Sequence, residues 1–169
     1  GALFMVSFEA ARNALHRRVG AIFDEGTWGA LYPGVQAPKV FLGFPKSEPP
    51  FYAAVDEIVE SVSADGGATM GHFEVRFQLR VWLFARHSDL ASASGALLSY
   101  IEAMFASVMA DPRLDMTVDN AFPSVETAGT ATDSSKYYIA AASVRIECRA
   151  YSACPAELME AVNASNRNS

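Results

Sequence analysis

Cysteine is scarce in this chain, which has only Cys148 and Cys154. Two thiols cannot form the disulfide framework of a small secreted scaffold, and they suit a reducing compartment. The three histidines, His16, His72 and His87, lie far apart, and no C-x-x-C pair accompanies them. Positive charge is also short: 13 Lys and Arg stand against 19 Asp and Glu, a formal net charge of −6. That balance argues against tight sequence-independent binding to nucleic acid, which needs many cationic contacts to phosphate. It argues equally against an anionic membrane surface. No apolar run reads as long enough to span a bilayer, and the N-terminus lacks the pattern of a secretion signal. Met5 could serve as the native start with Gly1 to Phe4 extraneous, or the chain could begin as written.

Signatures of chemistry are missing as well. There is no G-x-S-x-G nucleophile elbow, and Gly26 and Gly66-Gly67 belong to no phosphate-cradling loop. His72 and Glu74 form an H-x-E, but zinc deaminases place that motif on a helix and follow it with P-C-x-x-C. Here Cys154-Pro155 runs in the opposite order, so a solvated pair at a strand edge is the simpler reading. Asp111, Asp115 and Asp119 recur every four residues, as hard-cation ligands can, yet the glycine turn and closing Glu of a calcium loop are absent. Helix termination followed by an exposed strand accounts for them. We assign no catalytic, cofactor-binding or metal-binding residue.

What is present is patterning. The 169 residues suffice for one substantial core, and residues 1–152 read as a single domain followed by a partly disordered tail, 153–169. Phe8, Ala11, Leu15, Val19, Ile22 and Phe23 recur at helical spacing behind Ser7, predicting a helix from Ser7 to Glu25 ended by Gly26. Arg12, His16 and Arg17 lie opposite. A Gly- and Pro-rich loop is expected from Thr27 to Pro38, then a short buried strand from Lys39 to Phe44. Val55, Ile58, Val59 and Val62 fit helical spacing, but their β-branching favours a strand. Phe73 to Phe84 alternates strictly: Phe73, Val75, Phe77, Leu79, Val81 and Leu83 face one way, and Glu74, Arg76, Gln78 and Arg80 the other.

Ser88 then reads as the cap of a helix from Asp89 to Ala110, with Leu90, Leu97, Leu98, Ile101, Met104, Phe105 and Val108 as its stripe. A short strand is expected from Met116 to Phe122 and a mobile polar loop from Val125 to Lys136. Tyr137 to Tyr151 alternates again, and one helical turn is expected after Cys154. The fold class is therefore α+β, a single mostly antiparallel sheet with two main helices on its apolar face. Trp82, Phe84, Tyr137 and Tyr138 could form a stacking platform for single strands, but acidity favours packing.

The succession "APKVFLGF", "FEVRFQLRVWLFARHSDL", "SVMADPRL" and "AAASVRIECRAY" behind an amphipathic helix resembles the tail terminator, or tail-completion, proteins of long-tailed phages, including the lambda type. It covers Phe8 to Tyr151. The resemblance implies a prophage-encoded structural subunit, not an enzyme, that assembles as a hexameric ring. Such a ring caps the tail tube, ends its polymerisation and offers the head-attachment surface. Its partners would be copies of itself, the tube protein and head-completion proteins, with DNA passing through the lumen unbound and no membrane. It would occupy the host cytoplasm during assembly and then the virion tail. Candidate contacts are the loops Ala64 to Gly71 and Val125 to Ser135. Candidate interface residues are Arg76, Arg80, Arg145 and Arg149, set against Glu74 and Glu147 on a polar sheet face that reads either as a solvated face with salt links or as a self-complementary surface, with Asp65 and Asp133 in the loops. Two other readings stay open: a small-ligand- or metal-binding domain or enzyme with a dispersed site, and another head–tail connector.

Overall fold

The computed structural model describes residues 5–66, 71–154 and 156–168. Among these residues four helices and six strands follow in the order α1 (Phe8–Ile22), α2 (Glu25–Leu31), β1 (Lys39–Leu42), β2 (Phe51–Val55), β3 (Glu60–Asp65), β4 (His72–His87), α3 (Leu90–Ala110), β5 (Asn120–Thr132), β6 (Tyr138–Ala153) and α4 (Ala156–Arg167). The strands form one mixed, mostly antiparallel sheet in the order β1-β2-β4-β6-β5, with β3 also paired to β4. The fold is α+β, with α1 and α3 packed on one face.

The long alternating segments form the axis of the sheet. β4 and β6 pair antiparallel along their full length, from His72↔Ala153 to His87↔Tyr138. Their inward residues, Val75 through Ala85 on β4 and Ala140 through Ala150 on β6, are buried under the helices. β2 and β3 run in sequence along the other edge of β4, so they behave as one strand interrupted at 56–59. The strand expected over Val55 to Val62 is therefore split. Val55 ends β2, and Ile58 and Val62 lie exposed.

Helix α1 begins as predicted, with the Ser7 hydroxyl accepting from Ala10 N. It ends at Ile22 rather than Gly26. Asp24 caps a second helix, α2, within the segment expected to be loop. Gly26 and Gly29 weaken α2 intrinsically, which hid it from a propensity reading. Tertiary contact holds it: Trp28 is buried, lies 5.3 Å from Phe23 and 5.4 Å from Tyr100, and donates its indole N–H to the Val35 carbonyl. Lys39 to Leu42 is a half-exposed edge strand, pairing parallel to β2, rather than a buried one.

Helix α3 is capped by Asp89, whose carboxylate accepts from Ser92 N, not by Ser88. Its contact face consists largely of small residues, Ala93, Ala96, Ala103 and Ser107, with Leu97, Tyr100, Met104 and Val108. Small side chains bring the helix axis close to the sheet. Leu98, placed by periodicity in the buried stripe, is 60% exposed, and Leu90 is also exposed. By length and composition α3 could cross a bilayer, contrary to the sequence reading, yet much of it is buried against the sheet.

The segment from Met116 to Asp119 is a turn, with Leu114, Asp115 and Met116 in left-handed conformation, and the strand starts at Asn120. The polar segment expected to be a mobile loop is strand. β5 continues to Thr132 in register with β6, bulging between Val125 and Thr127. Most of this arm is exposed. Without a covered face it has no apolar periodicity; backbone pairing to β6 keeps it extended, aided by the Glu126–Arg80 ion pair and the Thr127–Ser143 hydroxyl contact. The single turn expected after Cys154 is instead the whole of α4. Gly1 to Phe4, and 67–70 of the connection expected from Ala64 to Gly71, lie outside the described residues.

A helix of seven residues cannot hold itself without tertiary support. Trp28→Ala should therefore cost about 3–5 kcal/mol, measured as a lower urea midpoint at unchanged m-value.

Candidate assembly surface

The outer face of the sheet, away from α1 and α3, divides at Arg80. Above it the face is aromatic rather than polar. Tyr52 stacks on Phe84 with centroids 4.5 Å apart, and Phe44 from the β1–β2 crossover lies 5.7 Å from Trp82. The crossover is turned by Gly43, at φ 74°, where an added Cβ would stand 3.0 Å from a Glu57 carboxylate oxygen. Burial and Glu48 push the Tyr52 phenol up to about 12. Trp82 and Phe84 therefore belong to this outer cluster, while Tyr138 packs against the inner core. Tyr137 instead takes the Arg86 guanidinium 4.2 Å from its ring centroid. The four aromatics do not form one platform.

Arg80 is the hub. Its guanidinium reaches Glu60 at 2.7 Å, Glu126 at 2.8 Å and Asp56 at 3.7 Å, with only 17% of its side chain exposed. Asp56 also accepts the Trp82 indole N–H at 3.1 Å. Burial raises the Asp56 carboxyl above its usual range, although Trp82 and Arg80 pull the other way. Glu126 occupies the β5 bulge, which breaks the period-two pattern; Asp56 and Glu60 flank the break between β2 and β3. Sequence reading missed all three because each sits where alternation fails. Arg86 was missed too.

Below Arg80 the face carries Arg76, Arg145 and Arg149, with Glu74 and Glu147 interleaved among them. Arg80 stands across from Arg145, and Arg76 across from Arg149. Like charges at opposing positions repel. Arg76 is answered by Glu74 at 2.7 Å. Arg145 and Arg149 make no ion pair among the described residues, and the Arg145 Nε is buried without a hydrogen-bond partner. Phe122 and Tyr151 flank them, 44% and 55% exposed, and a shallow concavity of about 140 Å³ opens beside Arg76 and Arg149.

Of the residues singled out in the sequence, the fold gathers Arg76, Arg80, Arg145 and Arg149 on one face, with Asp65 ending β3 opposite Glu74. Asp133 stands apart, in the turn joining β5 and β6. It accepts from Arg86 Nε at 2.7 Å and from the backbone N–H groups of Ser135 and Tyr137. The Arg86 hydrogen bond, then the Tyr137 N–H, hold its carboxyl below the usual range against a small effect of burial.

The other candidates are dispersed. Glu74 of the H-x-E pairs with Arg76. Asp111 binds Arg18 and Asp115 N, Asp115 binds Arg17, and Asp119 accepts from Tyr151 N at 2.6 Å. These three carboxylates thus tie the end of α3 to α1 and β6. Burial pushes the Cys148 thiol up to about 12, which suits a packed residue more than a nucleophile. Among the described residues no group of three or more His, Cys, Asp or Glu could hold a metal.

No family model matches the chain, and no curated protein matches it. Among solved structures, a chain from the virion of a native gene transfer agent (GTA) particle aligns with a TM-score of 0.40 and 9% sequence identity, over 85% of this chain and 99% of that one. At that score the likeness carries no argument about function.

Two outcomes test the surface. Arg80→Met leaves three converging carboxylates without a cation and should cost about 2 kcal/mol at neutral pH, a deficit that shrinks as acid protonates them; urea melts at several pH values measure it. Because the Asp133 carboxyl is depressed in the folded chain, its contribution is complete above the unfolded value and disappears as pH falls through the folded one. Asp133→Asn should therefore flatten the acid limb of the stability profile.

Proposed function

We propose that this chain is a non-enzymatic structural protein of a phage-like particle, a tail-terminator-type subunit that assembles with copies of itself into a ring. Such a ring would cap the tail tube, end its growth and present the surface on which the head is attached. The observation that carries this reading is the β5–β6 arm. Among the described residues β5 runs to Thr132 with one edge unpaired and its side chains mostly exposed. An isolated subunit gains little by extending and exposing a strand edge, which is a template for association. A closed ring uses such an edge, because each copy offers one surface to a different surface on the next. The order of elements, from an N-terminal helix through two long strands separated by a helix, is the order that resembles the tail-completion family. A net charge of −6 also suits a lumen through which DNA must slide without being gripped.

Light scattering and sedimentation over a range of concentrations should reveal a hexamer, or a concentration-dependent step towards one, with rings visible by negative-stain electron microscopy. A strict monomer at high concentration under every salt condition overturns the reading, and a stoichiometric metal in the purified protein would favour a ligand-binding domain instead.

A further inference from the structure

We infer that the sheet of one copy continues into the sheet of the next: the free edge of β5 pairs antiparallel with the free edge of β1, and Val125 of one copy meets Leu42 of the other. This rests on the ring reading above and names the contact within it. Above Arg80 the sheet ends in β1 on one side and β5 on the other, and neither carries a further strand among the described residues. The ladders fix their height. Leu42 stands beside Val55, Val55 beside Val81, Val81 beside Val144, and Val144 beside Val125. One row of aliphatic side chains thus crosses the whole sheet. Its middle members, Val55, Val81 and Val144, are buried, while its ends, Leu42 and Val125, are 42% and 41% exposed. Both edges therefore present, at one level, the unfinished end of the same apolar row.

Direction agrees with height. β1 runs parallel to β2, and the pairings β2–β4, β4–β6 and β6–β5 are all antiparallel. That odd number of reversals leaves β1 and β5 antiparallel. A copy rotated to its neighbour's side without being inverted brings its β1 antiparallel to that neighbour's β5, with Leu42 level with Val125. Because sheets twist, the strands of such a ring tilt to its axis, as in any closed sheet. The same rows set Phe41 against Thr127 and Lys39 against Gly129, where nothing stands within 4 Å of the missing Cβ, so a neighbour's side chain has room. Below this level both edges are guarded. Pro123 removes a donor from β5, while β3 bulges between Glu60 and Ser63, holds Ser61 at φ 52° and ends in Asp65. Proline, bulges and charge are the devices that keep edges from pairing. Beyond the bulge at Val125, the stretch Thr127 to Thr132 has neither charge nor proline. Of the possible occupants of this edge, a second β5 related by a two-fold axis leaves Leu42 uncovered and stops at a dimer. Only β1 of the next copy covers both ends of the row and repeats around a ring.

The experiment uses the full chain, with the wild type as control for its own Cys148 and Cys154. Within one subunit positions 42 and 125 lie on the two outermost strands of the path, about 19 Å apart at the usual strand spacing. No disulfide spans that distance, so a bond between them joins two copies. Both side chains are exposed, and the variants should keep the wild-type thermal melt by circular dichroism. Under mild oxidation Leu42→Cys/Val125→Cys should give a ladder of linked oligomers on non-reducing gels that ends at the ring's subunit number. An equimolar mixture of the two single variants should give linked dimers, and neither single variant alone should exceed the wild type. In sedimentation velocity Leu42→Lys or Val125→Glu should raise the concentration for half-assembly roughly tenfold. Together they should recover to within about threefold of wild type, since opposite charges across a ladder attract. If the wild type forms rings while the cysteine pair gives no ladder and the charged variants assemble equally well, this contact is overturned and the ring reading stands. A wild-type chain that stays monomeric removes both. Linked dimer from Val125→Cys alone would assign the edge to a two-fold β5 pair and overturn the proposal.

Discussion

The structure depends on one pairing, β4 against β6. Two strands of 16 residues each are in register from end to end. Side chains alternate across both, so one register places every inward residue of one beside an inward residue of the other. A slip by one position would turn Val75, Phe77, Leu79, Val81 and Leu83 out to solvent together. The other strands attach to this pair: β2 and β3 to the free side of β4, β1 beyond β2, and β5 to the free side of β6. Helices α1 and α3 close the inner face.

The same pairing creates the problem on the outer face. Aligning the two strands to bury their apolar phases brings arginine opposite arginine at two positions. The chain resolves one by converging Glu60, Glu126 and Asp56 on Arg80, and half-resolves the other with Glu74 on Arg76. Arg145 and Arg149, with Glu147 between them on the same face, make no ion pair among the described residues. A packed core and an outer face of crowded, only partly paired arginines thus arise from one register. The extended, exposed arm of β5 is held mainly by backbone pairing to β6 rather than by a core.

Where burial imposes a period, the chain was legible. The inward phases of β4 and β6, the start of α1 at Ser7 and the end of α3 at Asp111 follow from spacing and capping. Where burial imposes none, it was not. The Val125 to Thr132 arm looks like loop because neither face is covered. Helix α2 looks like loop because its glycines oppose it and only Trp28, docked among Phe23, Tyr32 and Tyr100, holds it. Leu98 looks like core because it follows the α3 period, but a helix on a single sheet can bury only part of its girth. The four arginines were legible as one face. Their partners Asp56, Glu60 and Glu126 were not, because each sits at a break in strand regularity.

By itself, the order of residues determined which side chains share a strand face and which share a helix stripe, because pleat and helix repeat are local geometry. It determined the α+β class for the same reason, and the acidity that disfavours a grip on phosphate. Tertiary structure alone decided which strands are neighbours, and so which arginines meet carboxylates and which meet each other. It also decided that a polar, loop-like stretch is a strand and that one side of an apolar helix stays uncovered. Those outcomes depend on contacts between residues far apart in the chain, and no local period records them.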